Sequence, residues 1–397
     1  MDTTLRPARA TICLSTSSYP PEVGGVGVAS QRLAKLLAAA GYRVHVVTPV
    51  EAPGGGGAVQ VAQEGEVTVH RIFCDWRDPA ASFQQRQLVR QLDEAHGFDL
   101  FHGFFLSALY PCITAASRPG RKRPIIASIR GSDVTNLLDA PFMRSTILAG
   151  LRKATWITSV NQRYLERVAQ DVPIAGRASV IRNGIERPAG EASWRLTAAN
   201  RGVVGTVGQF RKVKDIPLLV RAYQRIAPAR RRKLLLAGYF TAADASEEAW
   251  AQTLIREFGL TNQVTVTGRF DHAAVYGHLR AMHVYVQASA FEGLPNAVLE
   301  AASLGVPLVT TAVGGLAEIL REGESALLAP HGDPASLGAA IARVLADDGL
   351  AARLSAGAQA VAAELSIERE RGEWLALYAR LLNETPPHPL TPLPREN

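Results

Sequence analysis

The chain has 397 residues, 47% hydrophobic and 20% charged, which exceeds one ordinary core and suits two globular domains. No apolar run has the length of a membrane span and no basic-then-apolar segment opens the chain, so residence in the cytoplasm is expected. The net charge of +7 comes with no DNA- or RNA-binding signature and no aromatics interleaved in a basic groove, so nucleic acid is not expected as a partner.

Residues 10–15 (ATICLS) read as a first strand, followed by a Pro- and Gly-rich loop over 17–27. Residues 28–40 have helical periodicity, with Leu33, Leu36 and Leu37 on one face and Gly41 as the stop. Residues 43–48 form the next strand, which completes a βαβ opening. A glycine turn at 54–57, strands at 67–73 and 99–101, and helices at 82–95 and 106–116 follow. Strands at 124–129, 155–159 and 179–181, with a helix at 162–169, complete the first half. Asn183-Gly184 is a turn signal, and 188–190 read as linker. A second alternating series then places strands near 202–207, 234–237, 264–267, 284–286, 307–310 and 326–328. Helices at 334–346, 350–365 and 367–382 close the chain before a Pro-rich tail at 386–397, expected to be disordered. Repeated β–α alternation predicts a doubly wound parallel sheet, here twice. Ligands in such sheets bind at the C-terminal strand ends, and two such edges facing each other would form a cleft.

The chemistry gathers in the second half. The stretch from Ser289 to Glu300 (SAFEGLPNAVLE) follows a strand and opens a helix, with Pro295 suited to the first turn. Backbone N–H groups around Leu294 to Ala297 would sit where an anion is favoured. Glu292 and Glu300 bracket that point; carboxylates beside an anion site suit sugar hydroxyls. The loop from Gly208 to Asp215 also runs from strand to helix. Arg211 can fork onto phosphate oxygens and Lys214 can add a point charge. Gly314-Gly315 suit a close backbone approach to a ligand. In the first half the candidates are Gly25 in the glycine loop, His102 at a strand end and Asp133 after the strand at 124–129. His102 suits a hydrogen bond to substrate or a structural role, and Asp133 a hydroxyl contact or a helix cap. The basic runs 118–123 and 230–233 read as solvated loops, with contact to anionic lipid as the alternative. Cys13, Cys74 and Cys112 form neither a disulfide framework nor a metal motif.

Taken together these residues resemble the retaining glycosyltransferases of the GT-B type, family four. The Glu292-x7-Glu300 motif and its sequel through Gly314-Gly315-x-x-Glu318 carry the likeness. Arg182-Asn183-Gly184-Ile185, Gly208 to Asp215 and residues 20–27 extend it over nearly the whole chain. The resemblance implies two Rossmann-like domains, an acceptor domain at 1–185 and a nucleotide-sugar domain at 186–366. A helix at 367–384 would return to the first domain, and the tail would be 385–397. It implies transfer of a sugar from a UDP- or GDP-sugar to an acceptor hydroxyl without cofactor or bound metal, in surface polysaccharide or glycolipid synthesis. Arg211 and Lys214 would hold the diphosphate, Glu300 the ribose and Glu292 the donor sugar, with Gly25, Gly293, Leu294 and Asn296 on the donor side. Arg130, Asp133 and His102 would serve the chemistry from the first half.

Two departures stand out. Arg130 occupies a position where members carry histidine, and an arginine is no general base; it suits a leaving phosphate or an anionic acceptor. His283 stands where aspartate is common. The acceptor, a carbohydrate or lipid-linked compound met at a membrane surface, would dock on loops at 51–66, 75–82 and 136–145. A silent nucleotide-sugar-binding homologue and another GT-B enzyme such as an epimerase are the alternatives.

Overall fold

The computed structural model describes residues 9–384, apart from 23, 53, 55, 76–80, 118–121, 132, 135–137, 139 and 188–189. The chain divides into two compact units, Met1–Arg182 with Glu368–Asn397, and Asn183–Ile367. The tail expected at 386–397 and the basic residues 118–121 lie outside the described residues.

In the first unit the order is β1 (Thr11–Thr16), α1 (Gly25–Ala39), β2 (Arg43–Glu51), β3 (Gly56–Glu64), β4 (Val67–Cys74), α2 (Ala81–His96) and β5 (Leu100–Phe104). Then come α3 (Leu109–Ala116), β6 (Ile125–Ile129), α4 (Pro141–Lys153), β7 (Trp156–Ser159), α5 (Gln162–Ala169) and β8 (Ala178–Val180). The sheet order is β3-β4-β2-β1-β5-β6-β7-β8. β1, β5 and β6 are buried along their whole length, as a parallel sheet covered on both faces requires. The acceptor loop expected at 51–66 is instead mostly strand. β3 pairs antiparallel with β4, and positive φ is taken by Gly54 before it, +71°, and by Gly57 at its start, +78°. Val59 and Val61 alternate as a strand would, but they lie on an exposed edge, where the apolar face that marks a strand is missing. The last helix, α13 (Ile367–Leu382), belongs with this unit's core: Trp374 and Tyr378 are buried among Leu14, Leu37 and Phe104.

The second unit runs β9 (Val203–Phe210), α6 (Ile216–Gln224), β10 (Lys233–Phe240), α7 (Ala245–Glu257), β11 (Val264–Val266), α8 (Val275–Arg280) and β12 (Val284–Gln287). It continues with α9 (Asn296–Leu304), β13 (Leu308–Thr311), α10 (Leu316–Ile319), β14 (Leu327–Ala329), α11 (Pro334–Ala346) and α12 (Asp348–Glu364). Its sheet order, β11-β10-β9-β12-β13-β14, is the doubly wound 3-2-1-4-5-6 arrangement. Winding reverses between β9 and β12, so the loops leaving those two strands flank the switch point where such sheets bind ligands. In the first unit the reversal falls between β1 and β5.

Helix starts follow their sequence signals. Asp333 accepts N–H bonds from Ala335 and Ser336 ahead of Pro334, and Asp347 accepts from Leu350. Asn183-Gly184 is not a turn. Ile185 N–H bonds the Leu365 carbonyl, and a Cβ on Gly184 would lie 2.7 Å from the Ser366 carbonyl oxygen. Glycine is needed there because two backbone segments touch, not because the chain reverses.

Of the basic runs, Lys122, Arg230 and Arg232 are exposed as solvated loop residues would be, whereas Arg123 and Arg231 are partly buried. Arg123 ion-pairs with buried Asp93 and donates to the Ala115 carbonyl, 2.7 Å away. Arg231 lies over the Tyr223 ring, and Arg232 donates to the carbonyls of Ala198 and Ala199. His283, buried, sits 6.4 Å from the Trp194 ring in a stacked arrangement, and its Nδ1 accepts from Gly202 N–H at 3.3 Å. Burial, with Arg201 nearby, pushes its pKa down to about 4, so it acts as a neutral acceptor.

Candidate active site

The loop after β12 is ordered by its own strand. Tyr285, Gln287 and Ser289 alternate with Val284, Val286 and Ala288, so three polar side chains fall on one face of a buried strand. Tyr285 donates to the Gln287 Oε1 at 2.5 Å, and burial keeps its phenol protonated by raising its pKa. That contact turns the Gln287 amide so that Nε2 reaches Glu292 Oε1 at 2.9 Å. Ser289 Oγ donates to the same oxygen at 2.7 Å, and Lys214 Nζ meets it at 2.6 Å. One carboxylate oxygen of Glu292 therefore collects three donors from two loops that flank the switch point. Pairing between a largely buried ammonium and carboxylate survives only with such extra hydrogen bonds.

The backbone is fixed as tightly. Thr311 Oγ1 bonds the Ser289 carbonyl at 2.6 Å, and Ala290 N–H bonds the Val213 carbonyl at 2.9 Å. Gly315 N–H bonds the Gly293 carbonyl at 2.9 Å. A Cβ on Gly314 would lie 1.7 Å from the Glu292 carbonyl oxygen, and Gly314 has φ +51°. The glycine pair expected to approach a ligand approaches the Glu292 loop instead. Asn183 donates through Nδ2 to the Leu294 carbonyl at 3.1 Å and to Asn296 Oδ1 at 3.0 Å, steadying the entry to α9.

Pro295 caps α9 rather than lying in its first turn. The Val298 N–H closes on the Pro295 carbonyl, so the Asn296 and Ala297 N–H groups open the helix beneath Glu292. Glu300, 6% exposed, lies one turn further on, and His272 Nε2 meets its Oε1 at 2.8 Å. That bond raises the His272 pKa. Arg211 is exposed in the loop after β9, and among the described residues no carboxylate pairs with it. Gly208 takes φ +141° with open space where its Cβ would be. Among the described residues no three His, Cys, Asp or Glu side chains gather as a metal ion would require.

The first-unit candidates divide. His102 is fully buried: Nδ1 is 2.7 Å from the Tyr378 hydroxyl, and Nε2 is 2.6 Å from Ser128 Oγ, which continues to Thr158 Oγ1. Burial pushes its pKa well down. Both ring nitrogens are occupied, so the expected substrate contact of His102 gives way to a place in the core. Asp133 is also fully buried. Its carboxylate accepts from Gly131 N–H at 2.7 Å, Arg130 N–H at 3.1 Å and Leu106 N–H at 3.3 Å. It does not meet solvent, and the Leu106 N–H it accepts opens the 3₁₀ turn Leu106–Ala108 rather than a helix after Asp133. It ties the Arg130 loop to the turn after β5, where Phe105 holds a strained φ of +133°. Arg130 is half-buried, its guanidinium 4.4 Å from the Phe104 ring centroid. Burial lowers its pKa to about 10, so it remains a cation at neutral pH. Gly25 is the first residue of α1.

Sequence reasoning passed over Gln287, Tyr285 and His272. The first two had a signal, polar residues at every second position of an apolar strand; His272 had none.

The family described as Glycosyl transferases group 1 matches residues 193–361, and that described as Glycosyltransferase Family 4 matches residues 23–187. N-acetyl-alpha-D-glucosaminyl L-malate synthase of Bacillus anthracis is 24% identical over 339 residues, 83% of this chain and 87% of that protein. Sucrose-phosphate synthase from Thermosynechococcus elongatus superposes with a TM-score of 0.81 at 21% identity, covering 94% of this chain and 100% of that one. Anabaena HepE, solved in complex with UDP and glucose, gives 0.74 at 18% identity, with 94% and 100% covered. With both halves matched in order and the sheet topology agreeing, the chain belongs to the family-four type of GT-B glycosyltransferases.

Proposed function

We propose that this enzyme is a retaining hexosyltransferase that takes a UDP- or GDP-sugar and passes the sugar to a hydroxyl of a carbohydrate or lipid-linked acceptor. The observation that carries the reading is the Glu292 oxygen held by Lys214, Ser289 and Gln287 beside the start of α9. Arg211, Lys214 and the Asn296 and Ala297 N–H groups supply fixed positive charge where a departing diphosphate gathers negative charge. Glu292 takes the donor sugar's hydroxyls and Glu300 the ribose. The anomeric carbon–phosphate oxygen bond breaks with its electron pair leaving on the phosphate. The acceptor oxygen bonds to the same face, and its proton passes to the phosphate. No side chain is needed as base, which accommodates Arg130, a cation suited to an anionic acceptor. Asp133 acts by positioning Arg130. With protein cations in this role, no bound metal is required.

An acceptor with an apolar part fits the first unit. Phe83, Tyr110 and Met143 stand exposed near the starts of α2, α3 and α4, and the Arg86 guanidinium lies 4.7 Å from the Phe83 ring and 5.8 Å from that of Tyr110. Such a rim suits a glycolipid precursor at a membrane face, and so a role in polysaccharide or glycolipid synthesis. Among the described residues no helix is long and apolar enough to cross a membrane.

The test is a thermal-shift panel of UDP, GDP, ADP and their common sugar conjugates in the presence of EDTA, followed by assay of nucleoside diphosphate release. One base should stabilise the protein, more so as one sugar conjugate. Glu292→Gln should then lower turnover far more than nucleotide affinity. No shift with any nucleotide, or binding only with added metal, would overturn the reading.

A further inference from the structure

We infer that His272 is the positioning residue for ribose recognition: its Nε2 holds one oxygen of Glu300 and presents the other to the ribose hydroxyls. The inference rests on the ribose role proposed for Glu300.

His272 stands in a 3₁₀ turn, His272–Ala274, that opens the connection from β11 through α8 to β12. Its side chain is 62% exposed, yet it is fixed at 2.8 Å on a carboxylate only 8% exposed. Among the described residues it is the one side chain that bonds Glu300. An almost buried carboxylate with a single donor is held in orientation while keeping acceptor capacity on its second oxygen. A cis-diol needs such a fixed acceptor, because two vicinal hydroxyls approach a carboxylate from a narrow range of directions.

The neighbouring charges strengthen the argument. Glu186 acts on Tyr276 of α8 together with Glu300, and with burial both carboxylates keep that phenol protonated. Asp271 precedes His272 in the chain. Arg269 is engaged on the Tyr239 ring, 4.2 Å away, and His278 on the Phe270 ring, 4.5 Å away. His272 is thus the basic group set against a mainly acidic neighbourhood at Glu300.

The experiment measures affinity by calorimetry. UDP, GDP and ADP are titrated, and the tightest is taken forward beside its 2′,3′-dideoxy counterpart and inorganic pyrophosphate. The wild type should prefer the ribonucleotide by about tenfold or more, the scale of a charged hydrogen bond. His272→Ala should reduce that preference to within about threefold while pyrophosphate affinity stays unchanged, which also reports an intact fold. His272→Gln, whose amide keeps an N–H for Glu300, should restore much of it. If His272→Ala keeps the wild-type preference while Glu300→Ala abolishes it, His272 is no positioning residue and the ribose role of Glu300 stands. If the wild type shows no preference, the role of Glu300 fails and this inference with it. Binding of no nucleotide at all would sink the proposed function itself.

Discussion

Gly314→Ala should disable the enzyme while leaving it folded. A Cβ at this position lies 1.7 Å from the Glu292 carbonyl oxygen, and real Cβ atoms are essentially never closer than 3.0 Å to such a neighbour. The Glu292 backbone would have to retreat by roughly 1.3 Å, and a misplacement of about 1 Å costs on the order of a hundredfold in rate. Nothing flexible can absorb the shift, because the obstructing atom is backbone and the Gly315 N–H is bonded to the Gly293 carbonyl. The left-handed φ of +51° adds about 1–2 kcal/mol for a residue with a Cβ. At about 2–4 °C per kcal/mol for a unit of this size, the unfolding midpoint should fall by several degrees. Nucleoside diphosphate release gives kcat, and calorimetric scanning gives the midpoint. The expected result is kcat down about a hundredfold with a cooperative transition retained. A kcat within twofold of wild type would refute the claim that this glycine sets the position of Glu292.

His102→Ala should act on stability and not on chemistry, costing about 2–4 kcal/mol by urea denaturation, because it opens a cavity, strands the Tyr378 hydroxyl and removes one of the two partners of Ser128; a kcat loss above tenfold in fully folded protein would restore His102 to the active site. Arg123→Ala should cost about 3–5 kcal/mol, since it leaves Asp93 buried without its cation; an unchanged denaturation midpoint would return Arg123 to the role of a solvated loop residue. His45 and His70 stack with Nδ1 and Nε2 3.1 Å apart, and burial with the nearby His96 pushes both pKa values down to about 4. Their folded pKa values lie below the unfolded value of about 6.5, so their contribution is complete above that pH and is lost as pH falls from there toward 4. The unfolding midpoint should therefore drop over that interval, and His70→Gln should flatten the drop; an identical pH profile for the variant would show that this pair is not its source.

The doubly wound sheets were legible because buried parallel strands write continuous apolar runs and their helices write a 3.6-residue period. β3 was missed because an edge strand with both faces wet carries neither signature. Within the site, Lys214 and Glu292 were legible as a basic and an acidic loop, and the structure brings them together at 2.6 Å. Their direct contact was not legible, because sheet order rather than sequence distance sets which loops meet. The alternation of Tyr285, Gln287 and Ser289 was in plain view and would have named the residues that orient Glu292. Asp133 and His102 each stayed open between two roles for a shared reason: a polar residue at a strand end looks the same whether it points to solvent or inward. Their partners, Leu106 N–H and the Tyr378 hydroxyl, lie 27 and 276 positions away.

Helix α13 supplies Trp374, Leu375, Leu377 and Tyr378 to a core whose other buried members precede residue 182. On the ribosome the first unit cannot complete that core until the entire second unit has been made. His102 and Phe104 must wait through the synthesis of residues 183–367 with part of their surface uncovered. The second unit, continuous in sequence, can fold as it emerges. A premature stop between the two segments would yield a folded second unit attached to a first unit with an open apolar seam. Such products should be recognised by holdase chaperones, whereas the intact chain escapes them on completing its final helix.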